Sequence, residues 1–555
     1  MKKLFYLLLI CAQSTAFAQI KFTNPILSGF YPDPSITKVG KDYYLVNSTF
    51  AYFPGIPVFH SQDLKNWKQI GNVIDRDSQM NFMGDGTSRG LFAPSINYHK
   101  GTYYMTCTLI DRKGNFVMTA KNPAGPWSDP VWLTEVKGID PSLFFDQDKA
   151  YVVYNSDPPD NKSLYPGHRT IRTYELDLLS LKVIGEEKIL VNGGVDISKK
   201  PVWIEGPHIF KRGEWYYLCA AEGGTSVNHS QVILRSSTAT GPFVPYEKNP
   251  ILTQRDLDPK RPFPITSTGH AELVEGPDGL TYAIFLAVRP YEGNFYNTGR
   301  ETFIAPVKWT EGWPVINPDS KEVQYQYTAG FKEVKVANTT PQSGNFAYRT
   351  TFSKKLDPSL LFLRRDDKSS YMLDAAKGLT MKLKPETCME KGNPSFLGKR
   401  QQHMNCSAVT PLSFIPKAEN EKAGFMIFQG EYNFYFMCKS LDKGKTVIQL
   451  YKGNKGTSSM ELVKQEELQN PAAKLELKID ARAALYDFKF REEGKDWKLL
   501  QDNVDGKYLS TQAAGGFIGS LFALYATSSG KPSVNSASYQ WIDYNGDDSG
   551  HKPKL

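Results

Sequence analysis

Three carboxylates stand at recurring positions in the first half of the chain. They are Asp33 in Asp33-Pro34-Ser35-Ile36, Asp140 in Asp140-Pro141-Ser142-Leu143, and Glu205 in Glu205-Gly206-Pro207-His208. Two related clusters, Ala93-Pro94-Ser95-Ile96 and Gly269-His270-Ala271-Glu272, complete a set of five. A single Asp-Pro is ordinarily a turn whose carboxylate caps nearby backbone donors. Three carboxylates brought to one place are different, because repulsion and desolvation make such a set costly for a fold to keep. That repulsion suits hydrolysis of a glycosidic bond. One carboxyl must stay protonated to donate to the leaving oxygen, a second must stay ionised to activate water, and a third can raise the pKa of the acid. Glu205, with the longer reach, suits the acid, and Asp33 suits the base.

The elements that would position these groups repeat with them. About ten residues after each of the first four clusters comes an aromatic strand, opening at Tyr43-Tyr44, Tyr103-Tyr104, Tyr151-Val152 and Tyr216-Tyr217. The fifth cluster leads to Tyr282-Ala283-Ile284-Phe285. A third strand-like run follows in each unit, as in Val58-Phe59-His60-Ser61 and Val232-Ile233-Leu234-Arg235. Short alternating runs, Gly and Pro punctuation and the lack of amphipathic helical periodicity predict an all-β fold. Five units of about four strands predict a five-bladed β-propeller over residues 22–318, whose equivalent slots converge on one axis. Residues 319–345 read as a polar linker. Residues 346–545, with runs such as Gly424-Phe425-Met426-Ile427-Phe428 and Leu485-Tyr486-Asp487-Phe488, predict a C-terminal β-sandwich. The tail after Tyr544 reads as loose.

Composition narrows the function classes. The formal charge of +8 is modest for 555 residues and the charges are interspersed, which argues against a nucleic-acid footprint. Lys2 and Lys3, the apolar run from Leu4 to Cys11 and Ala16-Phe17-Ala18 read as an export signal over residues 1–18, cleaved before Gln19. A periplasmic or secreted protein is expected. Ile10 stands where lipid attachment at Cys11 would want a small residue. The apolar run is too short to span a bilayer, and no later segment approaches a span. Cys107 and Cys219 fall in apolar strand patterns, where buried free thiols are the rule. A disulfide among Cys388, Cys406 and Cys438 is compatible with export, with Cys388 to Cys406 one arrangement. Their spacing matches no zinc motif. Gly223-Gly224 follows a strand without the lysine or helix of a phosphate loop, so no nucleotide or redox cofactor is expected.

Tyr31-Pro32-Asp33-Pro34-Ser35, Gly138-Ile139-Asp140-Pro141-Ser142 and Glu205-Gly206-Pro207-His208-Ile209 resemble the three signature segments of glycoside hydrolase family 43. That resemblance implies an inverting glycosidase on a five-bladed propeller, with Asp33 as general base, Asp140 as pKa modulator and Glu205 as general acid. Within it, Arg300 resembles an arginine that holds sugar hydroxyls, and His270 a histidine that supports the site rather than a metal ligand, although some members hold an ion near the axis. Phe50, Tyr52 and Phe53 resemble an aromatic pocket wall. Phe517 resembles an aromatic with which the second domain closes the pocket, which would make the enzyme exo-acting. Where many β-xylosidases of this type carry Trp-Ala-Pro-Asp, this chain has Phe92-Ala93-Pro94-Ser95. The resemblance therefore implies an α-L-arabinofuranosidase on hemicellulose-derived saccharides, with a β-xylosidase as the alternative. A glycan-binding protein without catalysis is the rival of another class, and it would be expected to have lost the acid or the base.

Overall fold

The structure is a computed structural model that describes residues 19–337 and 339–551. The export signal expected over residues 1–18 lies outside the described residues. The fold is all-β; among the described residues the one α-helix is the four-residue Thr511–Ala514.

Five antiparallel sheets follow one another along the first part of the chain, each a meander of four consecutive strands. Their first strands are Ser35–Val39, Ser95–His99, Ile139–Asp146, Glu205–Arg212 and Thr266–Glu275. The short strand Tyr52–Phe53 interrupts the first meander, and Leu252–Thr253 adds a fifth strand beside the third strand of the fourth sheet. Apolar side chains alternate to both faces of each sheet, so every sheet is packed on two sides. One cluster around Val46, Val58, Met105 and Phe116 fills the space between the first and second sheets. Others around Val117 and Val152, Val153 and Leu218, and Ile233 and Phe285 join the following pairs. A fifth cluster, with Ile36, Leu45 and Phe59 against Tyr282, Ile284 and Ile304, packs the last sheet on the first.

Hydrogen bonds between the first strands repeat this circuit. Glu272 Oε2 accepts from Ser35 Oγ and from the Ile36 amide, both at 2.7 Å. Ser35 Oγ in turn accepts from the Ile96 amide at 3.1 Å. Asn97 Oδ1 accepts from the Leu143 amide at 3.4 Å, and Ser142 Oγ donates to the Pro207 carbonyl at 2.5 Å. His208 Nδ1 lies 3.5 Å from Glu272 Oε1 and closes the belt. Glu272 is thus a structural hub.

The C-terminal part is a β-sandwich of two six-stranded antiparallel sheets with a core around Phe425, Met437, Leu477, Phe488 and Leu524. The outer face of one sheet lies on the N-terminal part through Met426, Phe428, Phe436 and Tyr525, which meet Phe30, Phe50 and Tyr52. Tyr52–Phe53 pairs with Phe362–Leu363 in a small sheet shared by both parts.

Three sequence expectations change here. Residues 319–345 are not a simple polar linker: Gln326–Ala329 pairs with Ile20–Thr23, and Val323, Tyr325 and Phe331 are buried. The tail after Tyr544 is anchored, because the buried Asp548 carboxylate binds Arg289 at 2.8 Å and accepts the Asn405 amide at 2.9 Å. All five described cysteines are buried free thiols, so Cys388, Cys406 and Cys438 form no disulfide. Cys406 lies in the sandwich core, and Cys388 and Cys438 lie in the cluster between the two parts.

Candidate active site

Irregular backbone presents the functional side chains. The first strands of the third, fourth and fifth sheets lose regular pairing at Ile139/Ser142, Glu205/His208 and Gly269/Glu272. Asp140, Gly206-Pro207 and His270 occupy these interruptions. A proline cannot donate to a ladder, so strands tolerate it where pairing is broken. Asp33, Asp140 and His270 have φ of 51°, 55° and 51°. For residues other than glycine this left-handed region costs about 1–3 kcal/mol, and such strain concentrates where surrounding structure imposes a functional geometry. At Gly206 (φ 57°) any Cβ would lie 2.8 Å from the His270 ring, so the peptide after Glu205 packs directly on the histidine.

These elements surround a pocket of about 260 Å³ lined by Asp33, Asp140, Glu205, His270 and Arg300, with Phe50, Phe92 and Phe517 forming an aromatic wall. These eight residues were all named from the sequence. Phe50 and Phe517 stack at 6.1 Å, and Phe92 meets both rings edge-on. Phe517 arrives from the sandwich on a loop whose amide donates to Ser88 Oγ at 3.0 Å. A Cβ on Gly519 would fall 2.4 Å from the Thr298 carbonyl, which shows how tightly this loop meets the one carrying Arg300. Tyr52 and Phe53 do not join the wall. Their strand pairs with Phe362–Leu363, and both rings are buried, Tyr52 between the two parts and Phe53 between the first and second sheets.

Asp33 and Asp140 are buried and Glu205 is partly buried, each in unlike surroundings. Asp33 Oδ1 accepts from Arg300 Nη1 at 2.8 Å, and Oδ2 accepts from Ser48 Oγ at 2.6 Å. Burial works to raise its pKa, but Arg300, His270 and Ser48 together outweigh burial and hold it below the usual range. Burial pushes His270 itself down to about 3, so near neutrality the ring is uncharged and Arg300 is the working counter-charge. Burial and the charge of Asp33 push Asp140 up, against the Gly206 amide that donates to it at 3.2 Å. Burial, then Asp140, then Asp33 push Glu205 well above the usual range. One ionised and one protonated carboxyl therefore share the pocket at neutral pH.

Sequence reasoning passed over several participants. Ser48 binds Asp33, and Thr225 accepts from Arg300 Nη1 at 3.0 Å. Val202 and Trp203 form part of the rim. A large aromatic two residues before a candidate acid, outside any strand pattern, was the available signal for Trp203. Among the described residues no group of three or more His, Cys, Asp or Glu side chains is arranged to hold a metal ion.

This geometry has close relatives. The sequence pattern of glycosyl hydrolases family 43 matches residues 22–314, and that of the β-xylosidase C-terminal concanavalin A-like domain matches residues 349–545. The chain belongs to glycosyl hydrolase family 43. As a family 43 member it is a glycoside hydrolase of the propeller type with a C-terminal sandwich. It is 38% identical to a xylosidase/arabinosidase of Butyrivibrio fibrisolvens, over 94% of this chain and 98% of the relative. It is 35% identical to a non-reducing end α-L-arabinofuranosidase of Bacteroides ovatus, over 96% of each. The solved structure of Bacteroides ovatus xyloglucan PUL GH43B superposes with a TM-score of 0.84 at 34% identity, covering 95% of this chain and all of that one.

Proposed function

We propose that this family 43 enzyme is an exo-acting, inverting α-L-arabinofuranosidase that removes terminal arabinofuranose from hemicellulose side chains. The five N-terminal sheets are read as the blades of a five-bladed propeller with the pocket at one mouth of its channel. Asp33, kept ionised by Arg300, takes a proton from water as the water attacks the anomeric carbon. Glu205, kept protonated by burial and by Asp140, donates to the departing oxygen. Asp140 touches the reacting set through its charge and holds the Gly206 amide beside the acid. Arg300 and the phenylalanine wall orient the sugar.

The observation that carries this reading is the meeting of three carboxylates, with pKa values displaced in opposite directions, in a pocket that Phe517 helps to line. The exo reading takes the Phe517 side of the wall as the end of the pocket, which would admit a terminal sugar rather than an internal one. The arabinoside assignment draws on the Bacteroides ovatus relative and on Phe92 in the pocket wall. A β-xylosidase is the second reading. It is favoured by 28% identity, over 91% of this chain, to a Bacillus subtilis protein named β-xylosidase. Hydrolysis of p-nitrophenyl α-L-arabinofuranoside against the β-D-xyloside, with Asp33→Asn as control, decides between them. Preference for the arabinoside is expected; preference for the xyloside would overturn the sugar assignment. Activity on neither would overturn the exo reading. Proton NMR of the first-formed anomer should show inversion.

A further inference from the structure

Trp203 is held in a conformation that packing alone does not call for. Its φ is 59°, a left-handed value that is a real outlier for so bulky a residue. Two hydrogen bonds fix its backbone from opposite sides. The Trp203 amide donates to the Gly167 carbonyl at 2.8 Å, and the Gly223 amide donates to the Val202 carbonyl at 2.8 Å. Gly167 packs so closely that a Cβ there would lie 2.9 Å from Val202 Cγ1.

The side chain is as constrained as the backbone. The Arg169 guanidinium lies over the indole with its centre 4.6 Å from the ring centroid. Arg169 is itself fixed, since Nε and Nη2 donate to Asn155 Oδ1 at 3.1 and 2.7 Å and Nη1 binds Asp157. One indole face is thus backed by a rigid cation. The residue nevertheless remains 36% exposed and lines the pocket. A strained, backed, uncovered aromatic beside a sugar pocket is a platform without its ligand.

Its position names the ligand. Trp203 stands two residues before Glu205, and both line the same pocket. An acid that protonates the leaving oxygen must have the leaving group beside it. We propose that Trp203, backed by Arg169, is the surface on which the departing sugar ring stacks, and that it selects substrates whose terminal pentose is attached to a further pyranose. The inference rests on Glu205 as the acid in the reading above, and it holds for either terminal sugar. Pyranose rings offer an apolar C–H face to an aromatic, and the backing cation holds the indole in place on its other face.

The test compares KM values on two substrates with the same terminal sugar, arabinosyl or xylosyl, whichever the wild type cleaves. One is the glycosyl fluoride, which has no leaving ring. The other is an oligosaccharide with a xylopyranose at the leaving position. Failure of the sugar assignment would then leave this comparison intact. KM is also unaffected by any inactive fraction in a variant preparation. Trp203→Leu is expected to raise KM for the oligosaccharide about tenfold while changing that for the fluoride less than about threefold. Trp203→Phe, which keeps a ring, is expected to recover most of the difference. Equal KM changes on both substrates, or a phenylalanine variant no better than leucine, would overturn the platform while leaving the assignment of Glu205 in place.

Discussion

Replacing Arg300 by Met separates the electrostatic account of this site from a purely steric one. The guanidinium lies 2.8 Å from Asp33 Oδ1 and 3.4 Å from Oδ2, and both partners are buried. At about 4 Å between charge centres and an effective dielectric near 20, such a pair is worth about 4 kcal/mol. At about 1.4 kcal/mol per pKa unit this sets a ceiling of about 3 units, and water entering the vacated space lowers it. An upward shift of about 1–2 units is therefore expected for Asp33. Its pKa now lies below the ordinary value, so the ionised base persists as pH falls through the mildly acidic range. With Met at 300, burial loses its largest opponent and Ser48 alone still donates to the carboxylate, so the acid limb of kcat/KM should move to higher pH. Arg300 also lowers the pKa of Asp140 and Glu205, so the basic limb should move up as well. The assay is the pH profile of kcat/KM on an activated aryl glycoside, with Arg300→Lys as the charge-retaining control. A profile lowered at every pH with both limbs unmoved would refute the assignment of Arg300 as the charge that keeps Asp33 ionised.

Asp140→Asn removes a negative charge that raises Glu205, so the basic limb should fall by about 1–2 units while the acid limb stays near its original place. Phe517→Ala removes the stacked partner of Phe50 and one ring of the pocket wall; KM for a single-sugar glycoside should rise about tenfold in steady-state assays. Asp548→Asn leaves buried Arg289 with Glu301 as its one remaining carboxylate, and denaturant unfolding should show a loss of about 3–5 kcal/mol at neutral pH. The pKa of Asp548 is depressed, so its contribution is present above the ordinary Asp value of about 3.9 and is lost as pH falls through the lowered value. The stability gap between the two proteins should therefore close in acid.

Much of this enzyme was legible in its residues because repetition carries geometry. Five clusters with a common spacing imply equivalent slots, and equivalent slots in a ring of sheets face one another, so Asp33, Asp140 and Glu205 could be grouped before any distance was known. The alternation of apolar residues likewise identified Cys107 and Cys219 as buried thiols. Side chains whose role depends on which way a loop turns were not legible. Phe50, Tyr52 and Phe53 stand almost side by side, yet one enters the pocket and two are drawn into a strand with Phe362–Leu363, a partner about 310 residues away that local pattern cannot reveal. Asp548 looked like part of a polar tail because Arg289, which binds it, is 259 positions distant. Trp203 had no periodic signal at all. The residue types and their spacing determined the chemistry available to this chain: three carboxylates at equivalent positions, able to divide acid and base work between them. Tertiary structure decided the protonation of each, because burial, the reach of Arg300 and the proximity of like charges exist only once distant segments have met.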